Sequence, residues 1–331
     1  MGIKKSILEL IGNTPLLELT NFEERNGLPA KILAKLEFLN PTGSVKDRLA
    51  LALIEEAEAK GLLKEGGTVI DATSGNTGIS YAAIAAVKKL KFIPYLEEGV
   101  TIERSKIYEA YGLEQRTFDD VKELEGWQQK GLVVDDLVKG LYRIARENEG
   151  YYYPCQTENP ENALVHYRTT GPEIWSDAEG KVDIFLALAG TAGTLVGVGK
   201  FLREKNPGVQ VIGVQAHSQS RPGTKAFNGK IIDGTLPVGG DAPQDQLPPI
   251  LLGAEKEGFK LNEVIDVKAE EAYAAARDLA ETDGVLVGTS SAAALHAAKE
   301  VALRPENAGK TIVIIFADDG LKYLSTELFK R

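Results

Sequence analysis

Short apolar runs alternate along the chain with longer stretches in which apolar residues recur every three or four positions. The short runs predict strands at residues 16–18, 31–38, 68–72, 92–95, 184–189, 211–215, 264–267 and 312–316. The longer stretches predict helices at residues 7–11, 48–60, 79–90, 103–111, 135–148, 162–175, 195–205, 270–281 and 291–303. Because apolar strands separated by amphipathic helices are typical of parallel sheets covered on both faces, the pattern predicts an α/β fold.

The length of 331 residues exceeds what one ordinary hydrophobic core accommodates and suits two domains. The alternation restarts after Pro154 without a Ser-rich or Pro-rich linker, so we expect two abutting, doubly wound α/β domains with a cleft between them. Ligands of such sheets bind beyond the carboxyl ends of the strands. Two long loop-like stretches, 118–134 and 218–249, are expected to be functional or mobile.

Lys46 lies in the stretch Asn-Pro-Thr-Gly-Ser-Val-Lys-Asp-Arg, between a turn and the predicted helix 48–60. A lysine becomes nucleophilic toward an aldehyde when its ammonium is partly desolvated or lies near positive charge. The N-terminus of a helix supplies such a positive field. The ordinary alternative is a solvated lysine at a helix start, so this motif needs support from the rest of the chain.

Two turns rich in Gly, Ser and Thr each follow a predicted strand and open a predicted helix. Their sequences are Asp-Ala-Thr-Ser-Gly-Asn-Thr-Gly at 71–78 and Gly-Thr-Ala-Gly-Thr at 190–194. Backbone N–H groups at such helix starts bind anions, so the two turns predict two anion sites. One reactive lysine with two anion sites predicts an enzyme of pyridoxal 5′-phosphate (PLP), which has an aldehyde and a phosphate and acts on substrates with a carboxylate.

Further motifs accompany these stretches in order along nearly the whole chain. They are Gln-Thr-Glu-Asn-Pro at 156–160, His-Tyr-Arg-Thr-Thr-Gly-Pro-Glu-Ile-Trp at 166–175, Gly-Thr-Ser-Ser at 288–291 and Tyr-Leu-Ser-Thr-Glu-Leu-Phe at 323–329. Together they resemble the cysteine synthase (O-acetylserine sulfhydrylase) and cystathionine β-synthase family of fold type II PLP enzymes. The resemblance implies a large PLP-binding domain of residues 1–39 and 157–331, a smaller mobile domain of residues 40–156 for the substrate carboxylate, and a homodimer.

The resemblance assigns the covalent bond to PLP, and later the removal of the substrate α-proton, to Lys46. It assigns the hydrogen bond to the pyridine nitrogen to Ser290, whose other interpretation is the N-cap of the helix 291–303. It assigns the phosphate to a set of loop residues, Gly190, Thr191, Ala192, Gly193 and Thr194. The family usually has glycine at position 192, so alanine there is tolerable only if its φ is negative or the loop relaxes slightly.

The resemblance also implies a site for the substrate carboxylate. Its residues are Thr73, Ser74, Asn76, Thr77 and Gln156, which we expect to donate from across the cleft. Asn76 would also touch the ring hydroxyl of the cofactor. Carboxylate binding by both domains would drive closure of the cleft.

Charge and composition exclude several other classes of protein. The chain has 48 acidic and 38 basic residues and a formal charge of −10, which disfavours nucleic acid and anionic membranes as partners. No apolar run approaches a membrane span and no signal peptide is evident, so we expect a cytoplasmic protein. One cysteine, Cys155, and three scattered histidines exclude a disulfide framework and predict no metal site; we expect Cys155 and the histidines to be structural.

The motifs define the first half of the reaction better than the second. In one hypothesis, an O-activated L-serine loses its β-substituent to give an aminoacrylate, and sulfide adds to give L-cysteine. In the other, cysteine or serine is the donor, and hydrogen sulfide is released as in a desulfhydrase, or a thiol is added as in cystathionine β-synthase. A third hypothesis, a cofactor-free scaffold protein, gives no reason for Lys46.

Some residues depart from the family pattern and bear on this choice. Four acids, Asp233, Asp241, Asp318 and Asp319, are candidates for a base that activates water or a thiol, although solvated turn residues are the favoured interpretation. Arg221 is a candidate ligand for a phosphorylated donor, or a solvated surface residue. The sequence leaves the donor and the nucleophile open.

Overall fold

The fold is described from a computed structural model of the chain, in which residues 2–73, 75–96, 102–126, 134–240 and 242–330 are described. Its strands are β1 Leu16–Glu18, β2 Lys31–Leu36, β3 Thr68–Ala72, β4 Lys91–Leu96, β5 Arg116–Thr117, β6 Tyr151–Tyr152, β7 Ile184–Leu188, β8 Gln210–Ala216, β9 Glu263–Val267 and β10 Thr311–Phe316. They form a six-stranded sheet in the order β1-β2-β10-β7-β8-β9 and a four-stranded sheet in the order β5-β4-β3-β6. Apart from the antiparallel pair β1 and β2, all neighbouring strands are parallel.

Helices connect most of these strands. They are α1 Thr20–Asn26, α2 Lys46–Ala59, α3 Asn76–Lys88, α4 Ile102–Ala110, α5 Val134–Glu147, α6 Glu161–Arg168, α7 Thr170–Asp177, α8 Gly193–Lys205, α9 Pro249–Lys256, α10 Ala269–Thr282 and α11 Thr289–Ala302. Among the described residues, no helix is long and apolar enough to cross a bilayer.

The chain divides into two compact units. Unit 1 consists of Met1–Ile11 and Lys46–Glu161, and unit 2 of Gly12–Val45 and Asn162–Arg331. Each unit contains one of the sheets, with an apolar core on either face of it. These units differ from the predicted domains at residues 1–11, 40–45 and 157–161, and the roles given to the domains stay predictions.

The predicted α/β class with parallel sheets is confirmed. One predicted helix, 162–175, is instead two helices, α6 and α7, with Thr169 between them as the N-cap of α7. Pro172 explains the break, because proline fits the first turn of a helix but clashes with the carbonyl four residues earlier inside one. The short α1 was not predicted, because Phe22 is its only buried residue and leaves no apolar period.

The two long loops contain short turns of 3-10 helix. In the first loop, residues 118–120 and 122–124 form such turns, and residues 127–133 lie outside the described residues. In the second, Ser218–Ser220 and Gln244–Gln246 form turns before α9 begins. Both stretches therefore contain short helical turns among their described residues, and their functional role stays a prediction.

Candidate active site

Lys46 is the first residue of α2 and is half-buried. The division between the two units falls directly before it, after Val45. In unit 2, residues that follow β10 hold the turn 40–45, which precedes Lys46. The Val45 N–H donates to the Ala317 carbonyl at 2.8 Å. The Lys322 ammonium donates to the carbonyls of Thr42 and Gly43, both at 3.0 Å. The residues that lead into Lys46 are thus held by hydrogen bonds to their own backbone groups.

The start of α2 is also fixed against α3 within unit 1. The hydroxyl of Ser80 donates to Oδ1 of Asp47 at 2.6 Å, and both side chains are buried. A hydrogen bond to a buried carboxylate is among the stronger ones in proteins. Asp47 therefore anchors the helix turn that carries Lys46.

The predicted carboxylate turn joins β3 to α3. Gly75 is the N-cap of α3, and no side chain caps this helix start. The Thr77 hydroxyl donates to Oε1 of Gln156 at 2.8 Å. The structure thus brings two of the predicted residues together across 79 positions of sequence. Both lie in unit 1, so the expectation that Gln156 reaches the turn from across the cleft is wrong. Asn76 is the first residue of α3, Thr73 directly follows β3 as the first residue of the turn, and Ser74 lies outside the described residues.

Tyr108, on α4, contacts the backbone of this turn, and the sequence analysis did not predict this role. Its hydroxyl lies 3.0 Å from the Thr73 carbonyl and 3.2 Å from the Gly75 carbonyl, and the side chain is fully buried. A Cβ at Gly78 would lie 2.1 Å from this hydroxyl, so glycine is needed for the close approach. Nothing in the periodicity of α4 marks Tyr108, since its role depends on a contact with another element.

Asp71 lies one strand position before the end of β3, close to the turn, and is buried. Its Oδ2 has no hydrogen-bond partner among the described residues. Burial disfavours the charged form and raises the pKa of the carboxyl to about 7, and only the Ala72 N–H opposes this. The neighbouring Tyr81 is also fully buried, and burial raises the pKa of its phenol. The carboxylate turn therefore lies next to a carboxyl that holds its proton up to near-neutral pH.

The predicted phosphate turn joins β7 to α8 in unit 2. Ala192 is the N-cap of α8, with no side-chain cap, so the N–H groups of the first helical turn have no acceptor within the helix. Ala192 has a φ of 66°, so the first of the two conditions for alanine, a negative φ, is not met, and relaxation of the loop is the one that stays open. A left-handed alanine costs about 1–2 kcal/mol. A Cβ at Gly193 would lie 1.9 Å from Oδ1 of Asn162, so this position requires glycine.

Two side chains of α6 hold the hydroxyls of the phosphate turn, and the sequence did not identify this role. Nδ2 of Asn162 donates to Oγ1 of Thr191 at 2.8 Å. Nε2 of His166 lies 3.2 Å from Oγ1 of Thr194. The spacing of four residues between Asn162 and His166 was the available signal, because it puts both on one helix face.

Ser290 is the second residue of α11, and Gly288 is the N-cap of that helix. The interpretation of Ser290 as the N-cap is therefore wrong. Ser290 is half-buried, and its hydroxyl has no hydrogen-bond partner among the described residues. It is free to donate to a ring nitrogen, which agrees with the predicted role.

The four candidate acids have different surroundings. Asp318 is buried and accepts a hydrogen bond from the Tyr323 hydroxyl at 2.7 Å. Asp319 accepts from the Leu321 N–H at 2.8 Å and lies 3.4 Å from the Lys322 ammonium, so it has a structural role. The Asp233 N–H donates to the Thr289 hydroxyl at 2.9 Å. Asp241 lies outside the described residues.

The remaining candidates have ordinary structural contacts. Arg221 donates to the Ala216 carbonyl at 3.0 Å. His217 accepts from the Gln219 N–H, and His296 lies 3.3 Å from Glu300. Cys155 is buried, and burial raises the pKa of its thiol, so this cysteine is a poor nucleophile.

These features fit PLP. The uncapped N-terminus of α8, two hydroxyls held by neighbouring side chains, and a glycine that admits no side chain form a cradle for a phosphate. A half-buried lysine at the start of a helix suits the aldehyde. A hydroxyl at the start of α11 suits a ring nitrogen that stays unprotonated.

Comparison with known proteins agrees with this assignment. The family model described as pyridoxal-phosphate dependent enzyme matches residues 7–318, and the chain belongs to that family. Cysteine synthase 3 of Caenorhabditis elegans is 37% identical over 97% of this chain and 88% of its own length. The fold matches fold type II PLP enzymes, which confirms the predicted class and cofactor.

Two solved structures resemble the whole chain. Cysteine synthase from Entamoeba histolytica has a TM-score of 0.81 and 33% identity, and the match covers 100% of this chain and 92% of that one. A hydrogen sulfide-producing enzyme from Fusobacterium nucleatum also has a TM-score of 0.81 and 33% identity, with coverage of 98% and 99%. The predicted resemblance to cysteine synthases is confirmed.

Proposed function

We propose that this protein catalyses PLP-dependent β-replacement on an O-activated L-serine, with sulfide as the nucleophile and L-cysteine as the product. Its similarity to cysteine synthases over 97% of its length supports the reaction class. The structural observation that carries the proposal is the contact of Thr77 with Gln156 beside the uncapped start of α3. An uncapped helix start with flanking hydroxyl and amide groups is a site for a carboxylate.

The residues have distinct tasks in this proposal. Backbone N–H groups of the turn 190–194 and the hydroxyls of Thr191 and Thr194 bind the phosphate, and Ser290 donates to the ring nitrogen. Lys46 binds the aldehyde and, as a free amine, takes the α-proton of the donor. PLP, when bound, withdraws electrons from the carbon that loses this proton. A neutral hydroxyl at the ring nitrogen limits that withdrawal, which favours β-elimination over transamination.

The carboxylate turn selects and orients the donor. We assign the α-carboxylate to Thr73, Ser74, Asn76, Thr77 and Gln156, as the sequence predicted. Fixing this group places the α-carbon in one position relative to the amine that takes its proton, and such orientation supplies much of the rate enhancement in enzymes. The homodimer and the cytoplasmic location belong to the same proposal, and sedimentation and cell fractionation test them.

A second candidate function is the release of hydrogen sulfide from L-cysteine. The likeness to the hydrogen sulfide-producing enzyme supports it, at the same TM-score as the cysteine synthase. Release of sulfide followed by addition of water or a thiol requires a base near the β-carbon. Asp318 is buried and, by burial, is the best placed of the three acids that the structure describes, Asp233, Asp318 and Asp319.

One set of assays separates the two functions. The purified enzyme is mixed separately with O-acetylserine, O-phosphoserine, cysteine and serine, with and without sulfide, and the amino-acid products and free sulfide are quantified. Cysteine formed only from an ester and sulfide is the expected result. Sulfide released from cysteine alone, with no turnover of either ester, would establish the second function.

Lys46→Ala is the control for both functions. We expect at least about a thousandfold loss of turnover, because this variant has no amine to bind the aldehyde or to take the proton. Borohydride reduction followed by peptide mass spectrometry locates the attached PLP. An adduct on a different lysine would refute the assignment of Lys46.

A further inference from the structure

A chain of hydrogen bonds extends behind the phosphate turn in unit 2. Oγ1 of Thr170 lies 2.9 Å from Nδ1 of His166, and Nε2 of the same ring lies 3.2 Å from Oγ1 of Thr194. Thr170 is fully buried and His166 is 2% exposed, so water does not compete for these groups. The imidazole therefore connects a buried hydroxyl to a hydroxyl of the turn.

Thr170 determines the direction of these hydrogen bonds. Within the part of the chain that the structure describes, His166 is the only hydrogen-bond partner of its side chain. A buried hydroxyl proton needs an acceptor, so the Thr170 hydroxyl donates to Nδ1. Nδ1 then carries no hydrogen, and the neutral ring carries its hydrogen on Nε2.

The Nε2–H group consequently donates to Thr194, whose oxygen accepts and whose own proton is left for another acceptor. The Thr191 hydroxyl also accepts a hydrogen bond and keeps its own proton for another acceptor, because Nδ2 of Asn162 donates to its oxygen at 2.8 Å. A threonine hydroxyl has one proton, and phosphate oxygens accept hydrogen bonds without donating. Both hydroxyls of the turn are thus arranged to donate to a phosphate.

We propose that Thr170, His166 and Asn162 are positioning residues that direct the hydroxyl protons of Thr191 and Thr194 toward the phosphate of PLP, with His166 held as the neutral Nε2–H tautomer. The opposite tautomer would draw the Thr194 proton to Nε2 and turn an oxygen lone pair toward the anion. The inference rests on PLP binding, which the proposed function shares, and is independent of the donor and the nucleophile.

The tautomer is directly measurable. The protein is labelled with 15N-histidine, and the two ring nitrogens of each histidine are observed with and without PLP. The signals of His166 are assigned by their absence in H166Q. We expect a protonated Nε2 and an unprotonated Nδ1 in the holoenzyme. A holoenzyme with the hydrogen on Nδ1 would overturn the proposal.

Thr170→Val tests the source of the tautomer preference. Valine keeps the shape of threonine but removes the hydroxyl that donates to Nδ1. We expect the preference for Nε2–H to weaken in the apoenzyme, because Nδ1 no longer accepts a hydrogen bond from residue 170. An unchanged tautomer ratio would show that Thr170 does not set the direction. This measurement does not require an active enzyme.

Two substitutions of His166 distinguish positioning from packing. The amide nitrogen of glutamine reaches the place of Nε2, whereas that of asparagine reaches only the place of Nδ1. PLP is titrated into each apoenzyme, and the 31P signal of the bound phosphate is recorded. We expect H166Q to stay within about threefold of the unchanged protein and H166N to bind PLP on the order of tenfold more weakly, the effect of one hydrogen bond to a charged group.

Matched substitutions of His296, which is half-buried and lies beside Glu300, are the controls. H296Q and H296N should leave both the PLP affinity and the 31P signal unchanged. Equal losses in H166Q and H166N would show that His166 only packs, and would overturn the proposal. A failure of the proposed function would appear differently, as normal PLP affinity with different amino-acid products.

Discussion

The phosphate turn 190–194 and the carboxylate turn 73–77 have the same local design but different support. Each follows a parallel strand and opens a helix without a side-chain cap. Side chains of α6 hold both hydroxyls of the phosphate turn, whereas Tyr108 holds carbonyl groups of the carboxylate turn. In the proposed function, this difference corresponds to a cofactor that stays bound at one turn and a donor that enters and leaves the other at every turnover.

The charged and titratable groups near the carboxylate turn also differ from those near the phosphate turn. The carboxylate turn has the buried Asp71 carboxyl close before it on β3, and burial raises the pKa of this carboxyl to about 7. An ionised, buried carboxylate there would repel the carboxylate of a donor. The phosphate turn has the side chains of Asn162 and His166 behind it, and no acid is among these side chains that hold its hydroxyls. Four substitutions test this comparison.

The largest effect is expected for Gly193→Val, in the phosphate turn. The new side chain would displace Asn162 and push the backbone N–H groups off the phosphate, so PLP affinity should fall by about a hundredfold or more. Retention of PLP on gel filtration measures this. Gly253→Val is the matched control, because a Cβ at Gly253 meets nothing within 4 Å. Normal PLP affinity in Gly193→Val would show that the phosphate binds elsewhere.

Asp71→Asn is expected to change the pH dependence of stability. The folded state keeps the Asp71 proton up to a pKa of about 7, whereas the unfolded state releases it near 3.8. The folded state therefore binds more protons between these values, and the free energy of unfolding falls as pH rises through this window. Asparagine does not titrate, so at pH 8 the variant should be more stable by about 2–4 kcal/mol.

Urea unfolding at pH 4, 6 and 8 measures this effect. The exposed Asp135 provides a control, since Asp135→Asn should leave the pH profile nearly unchanged. A parallel profile for Asp71→Asn and the unchanged protein would mean that Asp71 is ionised in the folded state at neutral pH.

Asn76→Ala should affect binding of the amino-acid substrate at the carboxylate turn much more than binding of PLP at the phosphate turn. PLP affinity should stay within a few-fold of normal, whereas the KM for the donor should rise on the order of tenfold or more, because one hydrogen bond to the donor carboxylate is lost. Steady-state kinetics and PLP titration together measure both quantities. A large loss of PLP affinity with an unchanged KM would reverse the assignment of Asn76.

The smallest effect is expected for Tyr108→Phe. The Thr73 and Gly75 carbonyls lose the hydroxyl that donates hydrogen bonds to them, at a cost of about 1 kcal/mol. The KM for the amino-acid substrate should therefore rise by about fivefold. Tyr111→Phe is the control, since Tyr111 is three residues further along the chain and is exposed. An unchanged KM with lower thermal stability would restrict Tyr108 to a structural role.

Much of the fold followed from local patterns. Apolar strands such as β3 and β10 are long and almost entirely buried, so the sequence marks them clearly. The turns 71–78 and 190–194 were found because glycine and hydroxyl residues follow strands there. The break between α6 and α7 was missed because the periodicity of 162–175 continues through Thr169, and Pro172 acts through backbone sterics that apolar spacing does not show.

The sequence by itself determined the class of the protein, the lysine and the two turns, because these depend on residue type and on neighbours within a few positions. Only the tertiary structure decided how the turns are held. The contacts of Tyr108 with the Thr73 carbonyl, of Asn162 with Thr191 and of His166 with Thr194 span 35, 29 and 28 positions. The direction of a hydroxyl proton depends on such distant partners, since each of these groups can both donate and accept until a neighbour removes the choice.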